Sequence, residues 1–208
     1  MQNPNIHLYL NDLPDDFEPG EVVAIDTETL GLNLHRDRLC VAQISKGDGH
    51  CYLVQFSQGS DYAAPNLKAI LTNPKIQKIF HFARFDVAAF YQYLGVETEN
   101  IYCTKIASRL TRTYADRHGL KDLCKSILGI EISKQEQTSD WGSPELSPSQ
   151  MEYAATDVLY LHKLRQKLEA LLIRENRKSE ADKCFDFIMT RAKLDLMGWN
   201  DQDIFAHI

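Results

Sequence analysis

At 208 residues, 44% hydrophobic and 25% charged, the chain has the composition of a folded globular domain with its own core, which excludes a disordered, collagenous or repeat-built protein. Its 23 Lys and Arg against 29 Asp and Glu give a formal net charge of −6, a balance that by itself argues against a polyanionic partner. The charge is unevenly placed: seven acids, from Asp12 to Glu28, precede the first base at Arg36, and beyond them 22 acids face 23 bases.

The first 20 residues hold no Lys or Arg and no long apolar run, so no signal peptide is expected. No stretch approaches the roughly 18–20 apolar residues of a membrane span. Five scattered cysteines without a C-x-x-C pair, and histidines equally dispersed, predict reduced cytosolic thiols rather than a disulfide framework or a structural zinc site. In chain order, 6–10, 22–27 and 39–45 read as strands, and 50–56 follows across Gly47-Asp48-Gly49 as a hairpin. Helical and strand patterns then alternate: 66–71 helix, 78–82 short strand, and 86–94 helix with Gly95 as its stop. Two further helices, 106–112 and 120–128, lead into a polar, turn-rich stretch over 131–148 and two long helices over 149–174 and 180–197. An opening antiparallel meander followed by this alternation predicts one α/β domain over 1–208, with a mixed central sheet flanked by helices.

Val22-Val23-Ala24-Ile25-Asp26-Thr27-Glu28 begins apolar on both faces, as a central strand does. Alternation then puts Asp26 and Glu28 on one face, with Cα atoms about 6.6 Å apart. Two acids ending a buried strand need a positive partner, and a hard divalent cation with oxygen ligands is one. A solvated strand end or a salt bridge is the plainer alternative. Further on, Ser147 and Gln150 form a capping-box pattern with Pro148 at the first helical position. That start stacks Tyr153 on Asp157 at i and i+4, on the stripe continued by Leu161, Leu164, Leu168 and Leu171. A third acid, Asp86, falls in the first turn of a helix entered from a strand through Ile79-Phe80-His81-Phe82, where dipole complementarity alone would favour it.

The set and order of Asp26-Thr27-Glu28, Asp86 and Tyr153-Ala154-Ala155-Thr156-Asp157 resemble the three motifs of the DEDD superfamily of 3′–5′ exonucleases, and Tyr153 resembles its tyrosine-bearing subclass. The connector His118-Gly119-Leu120-Lys121-Asp122-Leu123, with Lys134 through Gln137 to Ser139-Asp140-Trp141, is similar to ribonuclease D, and the likeness runs over about 6–172. The resemblance implies a ribonuclease H-like exonuclease fold. It also implies a cytoplasmic metal-dependent 3′–5′ exoribonuclease that trims tRNA or other structured-RNA precursors and releases 5′-mononucleotides. Two divalent ions, Mg²⁺ or Mn²⁺, would be held with Asp26 shared between them, Glu28 and Asp157 completing the first site and Asp86 the second. Tyr153, a phenol of ordinary pKa about 10, is then a neutral donor that orients the nucleophile. Two departures stand out. Phe82 occupies the place where the second motif usually has Asn after its His, and the C-terminal helical repeats of longer ribonuclease D proteins have no counterpart after Arg174.

Substrate contacts are expected from Thr29, His81, Lys134 and Gln137. Leu32 resembles the apolar wedge that stacks on a terminal base, and Trp141, an aromatic in a polar connector, is a second stacking candidate. From Lys105 to Lys125 six bases meet two acids, and the spacing of Lys105, Arg109 and Arg112 predicts one basic helical face that tracks phosphates. The expected partner is the 3′ end of RNA and no membrane. No residue separates RNA from DNA, so an exodeoxyribonuclease is the near alternative and a catalytically weak nucleic-acid-binding module the distant one. Phe185, Ile188, Met189, Ala192 and Leu196 give the last helix a face to pack on the domain or on a second copy, for a monomer or a weak homodimer.

Overall fold

The computed structural model describes residues 4–132, 136 and 138–207. Six strands form one sheet: β1 (Asn5–Leu10), β2 (Val22–Thr29), β3 (Leu39–Ser45), β4 (His50–Gln55), β5 (Gln77–Phe80) and β6 (Ile101–Cys103), in the order β1-β4-β3-β2-β5-β6. β2, β3 and β4 form the expected antiparallel meander, but β1 pairs parallel to β4 at the sheet edge, and β5 and β6 add parallel strands on the other side. β2 is therefore central, and Val23, Ala24 and Ile25 are fully buried. β6, three residues long, escaped the sequence pattern because it is too short to display a period.

Among the described residues there are seven α-helices: α1 (Pro65–Thr72), α2 (Arg84–Leu94), α3 (Thr104–Thr111), α4 (Leu120–Leu123), α5 (Pro148–Leu159), α6 (Leu161–Arg174) and α7 (Lys178–Leu194). α4 runs into a π-helical turn, Cys124–Leu128, closed by Gly129 in the left-handed region at φ 70°. The helix predicted over 149–174 is two helices, α5 and α6, separated at Tyr160, whose backbone stands at φ −100° and ψ −9°. The break turns the buried stripe slightly, so Leu161, Leu164, Leu168 and Leu172 face the core, and Leu171 only partly. On α7, Ala181, Phe185, Ile188 and Ala192 are buried, and the Phe185 ring lies 4.7 Å from that of Tyr102, so this face packs inward. All five cysteines are unpaired thiols, four of them buried. No helix among the described residues is long and apolar enough to cross a membrane.

Candidate active site

The carboxylates gather where β2 leaves the sheet. Asp26 and Glu28 emerge on the face covered by α5, and one oxygen each from Asp26, Glu28 and Asp157 lie within 4.8 Å of one another. α5 delivers Asp157 because its start is fixed: Gln150 N–H donates to Ser147 Oγ at 3.2 Å, and Ser147 N–H to Gln150 Oε1 at 2.9 Å. The Gln150 amide also donates to Ser139 Oγ and to the Asp140 carbonyl, tying the connector to the same helix end.

Thr27 points to the opposite face of the strand, and its hydroxyl donates to Asp86 Oδ1 at 2.6 Å. Asp86 reaches the cluster from the α2 side and is only 3% exposed. Burial, above all, pushes its carboxyl up to about 7, against the lowering effect of the Thr27 hydrogen bond. Asp26 is held well above the usual carboxylate range, first by burial and then by Asp86, Asp157 and Glu28; Glu28 is raised by burial and then by Asp157 and Asp86. Crowded like charges in a half-buried pocket are relieved by protonation or by a cation. Three hard oxygen donors at this spacing fit a divalent ion of the Mg²⁺ or Ca²⁺ type rather than a thiolate-seeking one. Tyr153 stands beside them, and burial followed by the charges of Asp157, Glu28 and Asp26 raises its phenol further, so it stays protonated at neutral pH.

Asp26, Glu28, Asp157 and Tyr153 line a cleft of about 600 Å³ whose walls include Thr29, Leu32, His81, Phe85, Lys105 and Lys121. Leu32, at its mouth, is 86% exposed, which core packing does not explain. The turn that presents it is tightly closed. Thr29 Oγ1 donates to the Gly31 carbonyl at 2.5 Å, Asn33 N–H donates to Asp37 Oδ2 at 3.0 Å, and a Cβ on Gly31 would stand 2.5 Å from that carboxylate. His81 is half-buried, with Nδ1 2.9 Å from Thr104 Oγ1. Phe82 adopts φ 70°, a left-handed conformation rare for an aromatic, and its 42% exposed ring lies 4.1 Å beneath Lys105 Nζ.

One expected substrate contact is corrected. Arg112 is 6% exposed and bonded to the hydroxyls of Ser108 and Ser126, because α3 ends at Thr111 and the next residue turns off the basic face. Trp141 is 2% exposed with its ring 6.0 Å from that of Tyr153, and it lines the cleft as a packed part of the wall. Arg109 is exposed but does not line the cleft. Lys134 and Gln137 lie outside the described residues. Thr27 and Phe85 were given no role from sequence, although strand alternation could have turned Thr27 to the face opposite Asp26 and Glu28.

A family model described as 3′–5′ exonuclease matches residues 8–173. Ribonuclease D of Acidiphilium cryptum is 32% identical over 155 residues, which cover 74% of this chain and 39% of that protein. The chain thus spans about two fifths of the length of the curated ribonuclease D relatives it matches. Among solved structures, Brucella melitensis NrnC bound to pGG is 53% identical, covering 99% of this chain and 100% of that one, with a TM-score of 0.94. The same Brucella protein with bound Mg²⁺ is 52% identical, covering 98% of this chain and 100% of that one, with a TM-score of 0.92.

Proposed function

The chain belongs to the 3′–5′ exonuclease family, with the ribonuclease H-like fold and ribonuclease D-like motifs of that family, and from that premise we propose that it is a metal-dependent 3′–5′ exoribonuclease. The observation that carries the reading is the meeting of Asp26, Glu28 and Asp157 within 4.8 Å at the floor of a cleft. Asp26 would be shared between two ions, Mg²⁺ or Mn²⁺, with Glu28 and Asp157 on the first and Asp86 on the second, directly or through water. Bound there, such ions lower the pKa of a coordinated water and neutralise charge on the departing 3′ oxygen.

The chain's own residues supply positioning. The neutral phenol of Tyr153 donates to the incoming oxygen and orients it; a group held protonated this firmly cannot act as the base. Leu32 wedges against the terminal base, and Lys105 and Lys121 meet phosphates along the wall. A cleft of about 600 Å³ is in the size range of sites for compact ligands. That size, together with the pGG held by the Brucella protein, favours short 5′-phosphorylated oligonucleotides over the structured-RNA precursors expected from sequence.

The test is direct. Chemically matched 5′-labelled RNA, DNA and pGG are incubated with the full chain and Mg²⁺ or Mn²⁺. Shortening from the 3′ end with release of 5′-mononucleotides is expected, fastest on pGG. Asp26→Asn should abolish it, and Tyr153→Phe should retain about 1–10% of the rate, the loss of one hydrogen bond to a charged group. Cleavage of DNA alone would transfer the reading to an exodeoxyribonuclease, and equal, complete loss in both variants would remove the orienting role of Tyr153.

A further inference from the structure

Gln43 sits in the middle of β3 with none of its surface exposed, and neither its Oε1 nor its Nε2 has a hydrogen-bond partner among the described residues. Leaving a buried polar group without a partner is costly, and the large majority of buried side-chain polar atoms in folded proteins are partnered. The position of this amide accounts for it. In the antiparallel ladder Gln43 stands directly opposite Asp26, as Val41 stands opposite Glu28. Directly opposed residues point to the same face with Cβ atoms about 4.5–5.5 Å apart, so the carboxamide rises beside the Asp26 carboxyl on the face that α5 covers. That separation is within reach of a glutamine side chain. A ligating carboxylate is itself ordinarily hydrogen-bonded on its remaining lone pairs. Thr27 supplies such a bond to Asp86 from the other face; on the Asp26 side, Gln43 is the buried donor at hand.

We propose that Gln43 is a positioning residue for the cation site: its Nε2 donates to the Asp26 carboxylate once a divalent ion is bound, and fixes the orientation in which Asp26 ligates. This deepens the reading of the carboxylates as a cation site and rests on it. With the ion bound, the amide has the Asp26 carboxylate as its partner.

Two variants decide it. Gln43→Met keeps shape and burial without the amide, and Gln43→Leu removes the amide with a shorter apolar side chain. Mg²⁺ binding to the full chain is measured by calorimetry, and thermal unfolding of the chain is followed in chelator. Gln43→Met should weaken Mg²⁺ binding roughly 10–100-fold, the usual effect of removing a partner of a metal ligand, while leaving metal-free unfolding unchanged or raising it. Gln43→Leu should weaken the ion's hold to a similar degree, and serves if the methionine variant does not fold. A simple packing role predicts the reverse pattern, a lowered metal-free transition with unaltered affinity, and would overturn the proposal. Wild type that binds Mg²⁺ and cleaves, with both variants binding it equally well, overturns the role of Gln43 alone. Wild type that takes up no Mg²⁺ overturns the cation reading with it.

Discussion

Asp195, just past the end of α7, and Asp26, near the end of β2, are both half-buried carboxylates, yet their surroundings are opposite. Asp195 is gripped by Arg84 at 2.5 and 2.7 Å and by Arg191 at 3.0 Å. Arg84 and Arg191 then bond the Trp199 and Asn200 carbonyls, and His35 Nε2 lies 2.8 Å from the Leu196 carbonyl. The result is a brace joining the last turn of the chain to the first residue of α2 and to the loop that carries Leu32. Asp26 is met instead by Asp86, Asp157 and Glu28, which add to the burial that raises its pKa. A carboxylate surrounded by guanidiniums holds chain segments together. One surrounded by carboxylates holds nothing until a cation arrives, and the fold bears a penalty to keep it there.

The largest effects test that opposition from its acidic side. Asp26→Asn should lower the rate at least about 1,000-fold, roughly 4 kcal/mol of transition-state stabilisation, and yet make the metal-free chain more stable at neutral pH. The sign follows from the raised pKa values. Asp26 and Glu28 titrate above their unfolded values, and Asp86 at about 7, so the folded chain holds protons that the unfolded chain has released. Stability of the metal-free protein is therefore greatest near and below pH 4, so far as these groups decide it, and falls as pH rises toward 7. Unfolding in chelator between about pH 5 and 7.5 should show this decline, with a shallower slope in Asp26→Asn. A variant less stable than wild type across that range would make the cluster a structural one and break the comparison.

Asp195→Asn should behave in the contrary way. Losing two ionic hydrogen bonds and leaving Arg84 and Arg191 facing a neutral amide should cost about 2 kcal/mol, seen as a fall of roughly 4–8 °C in Tm for a chain of this size. Mg²⁺ affinity should be unchanged, because no ligand is touched. A loss of ion binding in Asp195→Asn with Tm intact would mean that the brace serves the site more directly than its bonds indicate.

Which parts of this were readable in advance depends on how local their cause is. Strand parity pairs Asp26 with Glu28, and the Ser147–Gln150 capping box sets the helical phase that aims Asp157 and Tyr153; each needs only a few adjacent residues. Arg112 failed because its spacing from Lys105 and Arg109 is meaningful only while α3 continues, and the helix stops one residue earlier. Trp141 was visible as an aromatic in a polar connector, but its packing on Tyr153 in the cleft wall was not, because α5 brings that neighbour from a distant part of the chain. The parallel pairing of β1 with β4 and the break at Tyr160 are set by packing across the sheet, and no periodicity records either. Phe82 at φ 70° is a choice of backbone that its side chain disfavours, so only the fold could disclose it.

The smallest expected effect extends the comparison from acids to bases. Arg112 is buried with two serine hydroxyls, a fixed part of the packing between α3 and the π-helical turn. Lys105, on the same helix, lies over the Phe82 ring and lines the cleft, which places its charge where a phosphate would pass. Binding of a short 5′-labelled RNA, measured without cleavage in an Asp26→Asn background, should weaken with salt along a log–log line. Removing one phosphate contact from a single strand reduces that slope by about 0.7, and Lys105→Ala should do this while leaving Tm within about 1–2 °C, as surface changes usually do. Arg112→Ala should do the opposite, lowering Tm with the slope intact, because its charge is committed inside the fold. If Lys105→Ala leaves the slope untouched, the phosphate is met elsewhere on the wall, with Lys121 the remaining basic side chain that lines the cleft among the described residues.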